Sequence, residues 1–366
     1  MLLGPFVIAA GGTGGHLFPA EALAEKLMCR GAHVVLMTDT RSKAETSSIF
    51  GQSERFVIPS AGIAGRGLIR AGFGMLQISR GLIKARLILG RIAPRAVIGF
   101  GGYPSVAPVL AACVMRQRPL IVLHDQNAVL GRANRVLAKC ADRLALSFSE
   151  VAGVPRGSVT CVTGNPVRST IAARRSARFS VPVGRVRLLV LGGSLGARVL
   201  ATLVPDALSK LPQELRQHVE LTMQCPADLT EGVRRQLVEI GVRGDVAPFF
   251  QDVDARLEAA HLVVARAGGS TVAEIAVIGR PALFVPLAIN PDQCANADVL
   301  VRAGGAIRLD EVGLTADRLA RELQNLLTDR ERLRTMAAAA ATCGIADGAD
   351  RLAALVLDAV SERTAS

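Results

Sequence analysis

The chain has 366 residues, half of them apolar, which is more than one hydrophobic core absorbs and enough to fill two. Its net charge of +12 sits in one half: residues 1–163 hold 19 Lys and Arg against 8 Asp and Glu, the remainder 24 against 23. Seven cysteines without a CxxC pair or other metal-ligand spacing argue against a disulfide- or metal-stapled scaffold and fit a reducing cytoplasm.

The first residues lack a basic segment and a small-residue cleavage site, which argues against a signal peptide. Phe6-Val-Ile-Ala-Ala10 is the short apolar run of a strand buried on both faces. It passes into Gly11-Gly-Thr-Gly-Gly-His16 and then a helix over 20–30. From Arg55 to His124 there is no acid and there are ten Lys or Arg. Within that stretch Arg66, Arg70, Arg80, Lys84, Arg86 and Arg91 alternate with Leu, Ile, Phe and Met, a composition suited to an anionic lipid surface. A core-facing helix with solvated arginines has the same pattern. Nucleic acid is the poorer partner, because only Phe73 could stack on a base.

Residues 96–115 carry no charge and reach membrane-span length, but Gly99, Gly101, Gly102, Pro104 and Pro108 interrupt them. The segment reads as a strand, a tight loop and a buried helix. Another apolar strand, residues 120–123, ends in His124-Asp-Gln-Asn127. After Gly164-Asn-Pro-Val-Arg168 and an Arg/Ser-rich linker over 174–180, the opening unit repeats: strand 186–191, Gly192-Gly-Ser-Leu-Gly196, then a helix. Each half has a second loop of this type, Gly101-Gly-Tyr-Pro-Ser105 and Arg266-Ala-Gly-Gly-Ser-Thr271. The expected fold is α/β, with two Rossmann-like doubly wound parallel-sheet domains, 1–163 and 164–344, facing a cleft. A last helix within 345–366 is expected to pack back on the first domain.

Glycine lets backbone approach an anion, and the following helix offers unpaired N–H groups, so four such loops point to phosphate-bearing ligands. The dinucleotide pattern GxGxxG fails, since the third glycine after Gly12 and Gly14 would fall at Leu17. His16 is either a general base or a loop-bonding histidine. Glu274, one helical turn after Ser270 and Thr271, suits ribose hydroxyls or is a surface glutamate. Phe249 and Phe250 cover a base or belong to the core. Asp252-Val-Asp254 matches the DxD of metal-dependent sugar transferases, yet acids opening a helix need only its dipole.

In combination, GGTGGHLFP (11–19), GFGGYPS (99–105), GNPVR (164–168) and Gln293 followed by Asn296-Ala297 resemble a family of bacterial peptidoglycan glycosyltransferases. That family, within glycosyltransferase family 28, moves N-acetylglucosamine from UDP-GlcNAc to undecaprenyl-diphosphate-linked muramoyl pentapeptide, converting lipid I to lipid II. The resemblance implies the GT-B fold, inversion at the anomeric carbon, no cofactor or metal, and a peripheral place on the cytoplasmic face of the membrane. Further cell-wall synthesis proteins are implied as partners, and nucleic acid is not.

Carried over by position, the resemblance implies that Thr13, Gly14 and Gly15 meet a diphosphate and that Asn127 reaches the bound sugar. Tyr103 and Asp125 stand on the acceptor side, and His16 is the candidate base. Arg168 and Ser194 would hold UDP phosphates, Phe249 and Phe250 lie at the uracil, and Gly269, Ser270 and Thr271 lie at phosphates and ribose. Glu274 would bind the ribose hydroxyls and Gln293 the N-acetylglucosamine. Asp125 replaces a usual Glu, Leu195 a usual Gln, and Asp292 a usual His or Gln. A nicotinamide oxidoreductase, a membrane-surface adaptor and another enzyme of the same fold are the competing readings.

Overall fold

The computed structural model describes residues 3–11, 14–40, 42, 49–51, 53–59, 68–175, 178–193 and 197–365. The chain forms two compact units, Met1–Arg168 with Asp347–Ser366, and Ser169–Ala346.

In the first unit seven strands pair in parallel: β1 Leu3–Ala9, β2 Ala32–Thr38, β3 Glu54–Val57, β4 Ala96–Gly99, β5 Leu120–Asp125, β6 Arg143–Leu146 and β7 Thr160–Val162. Their order is β3-β2-β1-β4-β5-β6-β7. In the second unit β8 Val186–Leu191, β9 Val219–Gln224, β10 Arg243–Ala247, β11 Leu262–Ala265, β12 Ala282–Phe284 and β13 Ala306–Arg308 follow the order β10-β9-β8-β11-β12-β13, again all parallel. The central strands β4, β5 and β11 are buried along their whole length, as continuous apolar runs between two helix layers require.

Both sheets reverse their winding beside their first strand. The chain builds outward from β1 through β2 to β3, then crosses back to lay β4 on the other side of β1. The second unit does the same between β8 and β11. Register aligns Ala9 with Gly99 and Leu191 with Ala265, so the two glycine loops of each half leave adjacent strands at one level. Such switch points are where open α/β sheets bind ligands.

The helix after β1 begins at Gly14, ahead of the expected 20, so the end of the glycine motif forms its first turn and carries His16. Gly164–Arg168 stays with the first unit, whereas the sequence reading placed it with the second: the Thr163 and Gly164 N–H groups donate to the Leu146 carbonyl (3.0 and 3.2 Å). Within the expected linker, Arg174 is fixed to the second unit, its Nε donating to Asp254 (2.8 Å) and its Nη1 paired with Glu258. The terminal helix Gly348–Ala365 buries Leu352, Ala353, Val356, Ala359 and Val360 in one core with Leu23 and Leu27 of helix Gly14–Cys29. Its larger aliphatic side chains contribute about 2 kcal/mol each, which explains the return of the chain to the first unit.

Candidate functional site

At the first switch point the His16 Nδ1–H donates to the Phe100 carbonyl (2.9 Å). A carbonyl can only accept, so this bond fixes the neutral tautomer with its lone pair on Nε2. The Gln126 amide lies 3.2 Å from the same Nδ1. Burial holds the imidazole below its usual pKa, against the opposing effects of the Phe100 bond and the Asp125 charge. The ring is therefore neutral near pH 7, the state a base requires.

Two glycines shape the space around it. Gly102 has φ +68°, and a Cβ there would sit 3.4 Å from His16 Nε2. At Gly101, φ +79°, a Cβ would approach Asn134 Nδ2 to 3.1 Å. Ser105 Oγ ties the loops together, placed 2.8 Å from both the Ala9 and the Gly101 carbonyls. Tyr103 is half-buried in the first turn of helix Gly102–Cys113.

Asp125 ends β5, buried to 3% exposure. One carboxylate oxygen accepts from Asn127 N–H (3.0 Å), the other from Gly131 N–H (2.8 Å) and Asn134 Nδ2 (3.0 Å). Burial raises its pKa while those three bonds work to lower it. Both oxygens thus hold the 126–131 loop, which carries half-buried Gln126 and Asn127. Asn134, overlooked in the sequence, also donates to the His124 carbonyl (2.9 Å) and keys this loop to Gly101. His124 is fully buried against Phe100, ring centroids 5.3 Å apart, and burial takes it down to about 4.

Thr13, Ser194 and Arg66 lie outside the described residues. Gly14 and Gly15 open helix Gly14–Cys29. Arg168 lies in the first unit, its guanidinium 5.2 Å from the Phe18 ring centre.

At the second switch point helix Gly269–Ile278 starts without a side-chain cap, so its first N–H groups point out as Gly269, Ser270 and Thr271. Glu274 lies one turn on, 8% exposed. Buried Asn296 donates to the Ala267 carbonyl (3.1 Å) and fixes the loop from behind. Gln293 Oε1 accepts from Leu287 N–H (2.9 Å). The sequence missed Arg266 and Glu311. Arg266 donates to the Val285 carbonyl (2.9 Å) and to Glu311 Oε1 (2.6 Å), and Glu311 Oε2 accepts from Ala288 N–H (2.8 Å). Burial works to raise the Glu311 carboxyl, but the Arg266 and Ala288 bonds outweigh it and the net shift is downward.

Behind this site Arg280, 2% exposed, donates to the carbonyls of Leu257, Glu258, Ile278 and Gly279 at the ends of two helices. Phe250 is buried with the Arg256 guanidinium 4.0 Å from its ring centre, whereas Phe249 is 65% exposed. The two phenylalanines thus differ in exposure, one packed and one open to solvent. Asp252 accepts from Arg256 and Asp254 from Arg174, both at 2.8 Å. Among the described residues no group of three or more His, Cys, Asp or Glu is placed to hold a metal.

The basic helix Leu68–Ile92 buries Gly81, Ala85, Ile88 and Leu89, and the apolar members of that face pack with Ala107 and Ala111 of helix Gly102–Cys113. Its other face exposes Ile83 and Leu87, 62% and 61%, between exposed Arg80, Lys84 and Arg91. Arg86 is drawn aside to the Val114 carbonyl (2.6 Å). Arg70 lies in the same helix. Among the described residues no helix is long and apolar enough to cross a membrane.

The glycosyltransferase family 28 N-terminal domain matches residues 6–146, and the C-terminal domain of that family matches residues 187–352. A UDP-N-acetylglucosamine–N-acetylmuramyl-(pentapeptide) pyrophosphoryl-undecaprenol N-acetylglucosamine transferase from Acidiphilium cryptum is 57% identical over 362 residues, 99% of this chain and 98% of that protein. The protein of the same name from Granulibacter bethesdensis is 50% identical, over 95% of this chain and 92% of that one. The crystal structure of Acinetobacter baumannii MurG is similar at TM-score 0.79 and 27% identity, covering 97% of this chain and all of that one. A putative UDP-N-acetylglucosamine 2-epimerase from Listeria monocytogenes shares the fold at TM-score 0.70 and 18% identity, over 99% of this chain and 98% of that one. With two Rossmann-like parallel-sheet domains of the GT-B type, this chain is a member of glycosyltransferase family 28.

Proposed function

We infer that this chain transfers N-acetylglucosamine from UDP-N-acetylglucosamine to the 4-hydroxyl of the muramoyl sugar of lipid I, giving lipid II and UDP. The observation that carries the reading is the likeness to the Acidiphilium cryptum transferase over 99% of the chain, with both switch-point loops inside it. In this reading the second switch point binds the donor. Its uncapped helix N–H groups meet the diphosphate, Glu274 the ribose hydroxyls, Gln293 the sugar, and exposed Phe249 the uracil. The first switch point binds the lipid-borne diphosphate at the Gly14–Gly15 turn, with Tyr103 and Asn127 on the acceptor sugar.

The acceptor oxygen attacks the anomeric carbon from the face opposite UDP, so that one C–O bond forms as the other breaks and configuration inverts. His16 Nε2 takes the proton as the oxygen loses it. Charge growing on the leaving diphosphate meets fixed N–H dipoles, Ser194 and the Arg168 guanidinium, which need no solvent reorganisation. Asp125 acts as a positioning residue, because its oxygens are engaged by the loop it holds. The chemistry assigned here draws on no cofactor.

The exposed face of helix Leu68–Ile92 gives the reading its place, with Ile83 and Leu87 entering the interface and Arg80, Lys84 and Arg91 meeting anionic headgroups at the cytoplasmic face. Incubating the chain with acetyl-labelled UDP-N-acetylglucosamine and lipid I should put label into a lipid product. Free sugar, an epimerised nucleotide or no turnover would refute the transfer. Flotation with anionic vesicles should weaken in Ile83→Ser/Leu87→Ser and with added salt; unaltered binding in both conditions would refute the membrane face.

A further inference from the structure

The loop between β12 and helix Pro291–Ala303 carries the turn on which Gln293 rests, and it is pinned at consecutive residues. Leu287 N–H donates to Gln293, and Ala288 N–H donates to Glu311. Glu311 in turn grips Arg266, which directly follows β11 and leads into the Gly268–Gly269 turn. One carboxylate thus bridges the strand end that begins the diphosphate loop and the loop that aims the sugar-side amide. The pair is largely withdrawn from water, side-chain exposures 11% and 14%. The segment is anchored without it, since Leu309 and Leu314 are buried on either side of Glu311. Burying an ion pair where apolar groups would pack as well costs desolvation, and such pairs are best accounted for by the geometry they fix.

We propose that Glu311 is a positioning residue of the donor site, setting the spacing between the diphosphate-binding turn and the Gln293 amide. The proposal rests on the second unit being the UDP-N-acetylglucosamine site. Glu311 touches no substrate in this scheme; it acts through Arg266 and Ala288. Its effect falls on the sugar end of the donor and spares the nucleotide end, since UDP alone does not reach Gln293.

The test compares the full-length wild type with Glu311→Ala and Glu311→Gln, measuring affinity for UDP and for UDP-N-acetylglucosamine by calorimetry, the KM values of donor and lipid I, and melting temperature. In Glu311→Ala the donor KM and its dissociation constant should rise about tenfold, the scale of one charge-assisted hydrogen bond. UDP affinity and the lipid I KM should stay within about twofold, because Arg266 keeps its bond to the Val285 carbonyl and neither measurement reads the Gln293 amide. Glu311→Gln keeps one acceptor oxygen for Ala288 N–H but turns an N–H toward Arg266, so it should recover only part of the loss. Unchanged donor affinity in Glu311→Ala overturns the proposal, as does equal weakening of UDP and UDP-N-acetylglucosamine in step with a lower melting temperature. Failure of the underlying reading looks different: the wild type itself would then bind neither nucleotide.

Discussion

The first switch point is set by neutral and desolvated groups, the second by an ion pair and backbone dipoles. Around His16 the fixed contacts are a carbonyl at 2.9 Å and two glycines with positive φ. The nearest carboxylate, Asp125, is spent on its own loop. Around Gly268–Thr271 the scaffold is Arg266 paired with Glu311, buried Glu274 and an uncapped helix end. Both units use one strand order, so topology places the sites without deciding their chemistry. A desolvated imidazole stays neutral and can take a proton, whereas a helix end rich in N–H groups is suited to an anion.

The sharpest way to break this contrast is His16→Ala. Loss of a general base should lower kcat by about 10²- to 10⁴-fold while UDP affinity stays constant. Equal loss in both would move His16 out of the chemistry. Its pH profile sharpens the same point: the base must be unprotonated and burial lowers its pKa, so kcat/KM should hold through neutrality and fall only on the acid side. The acid limb belongs below the usual histidine value of about 6.5; a limb above it would contradict the neutral-site assignment.

Next in size is Arg280→Met, which removes the side-chain donor of four carbonyls, of which Leu257 retains the Ala260 N–H. The cost should be about 3 kcal/mol, at the upper end for unsatisfied buried groups. Hydrogen exchange should quicken in helices Val253–Ala259 and Gly269–Ile278 while the first unit keeps its protection. Uniform loss across both units would show that the charged bracing is not local.

A smaller effect is expected from Glu274→Gln, with the donor KM raised about tenfold by a weakened hydrogen bond to ribose and the lipid I KM unmoved. A change in the acceptor KM alone would reverse the assignment of the two switch points. Smallest is Gly102→Ala. Positive φ with a side chain costs about 1 kcal/mol, and the added Cβ would lie in contact with Nε2 and cover it, so a modest drop in melting temperature should accompany a several-fold fall in kcat. An unaltered rate would show that Nε2 is not approached over Gly102.

Much of this was legible in the sequence because the relevant signals are local. Apolar runs such as Phe6–Ala10 and Leu262–Ala265 can satisfy their burial only inside a parallel sheet, and the glycine loops after them mark the strand ends. The DxD motif was weighed as helix-opening acids, and each of its carboxylates has an arginine partner. Asn134, Arg266 and Glu311 left no such mark. Their partners lie 10, 45 and 23 residues away, and nothing in their neighbours announces a bond. The boundary near Gly164 depends on such bonds too: a Gly-Asn-Pro segment looks like a domain junction, yet the backbone bonds to Leu146 keep it in the first unit. Phe249 and Phe250 are equivalent as letters, and only packing buries one and exposes the other.

The sequence by itself determined the two doubly wound units, their glycine loops and the basic first half, because hydrophobic period, glycine placement and charge are properties of neighbouring residues. Tertiary structure alone decided that His16 is held neutral through Nδ1, that Asp125 is a brace, and that Glu311 joins two loops of the second unit. Those outcomes depend on desolvation and on hydrogen bonds between segments distant in the chain, which exist only once the sheets have brought their strand ends together.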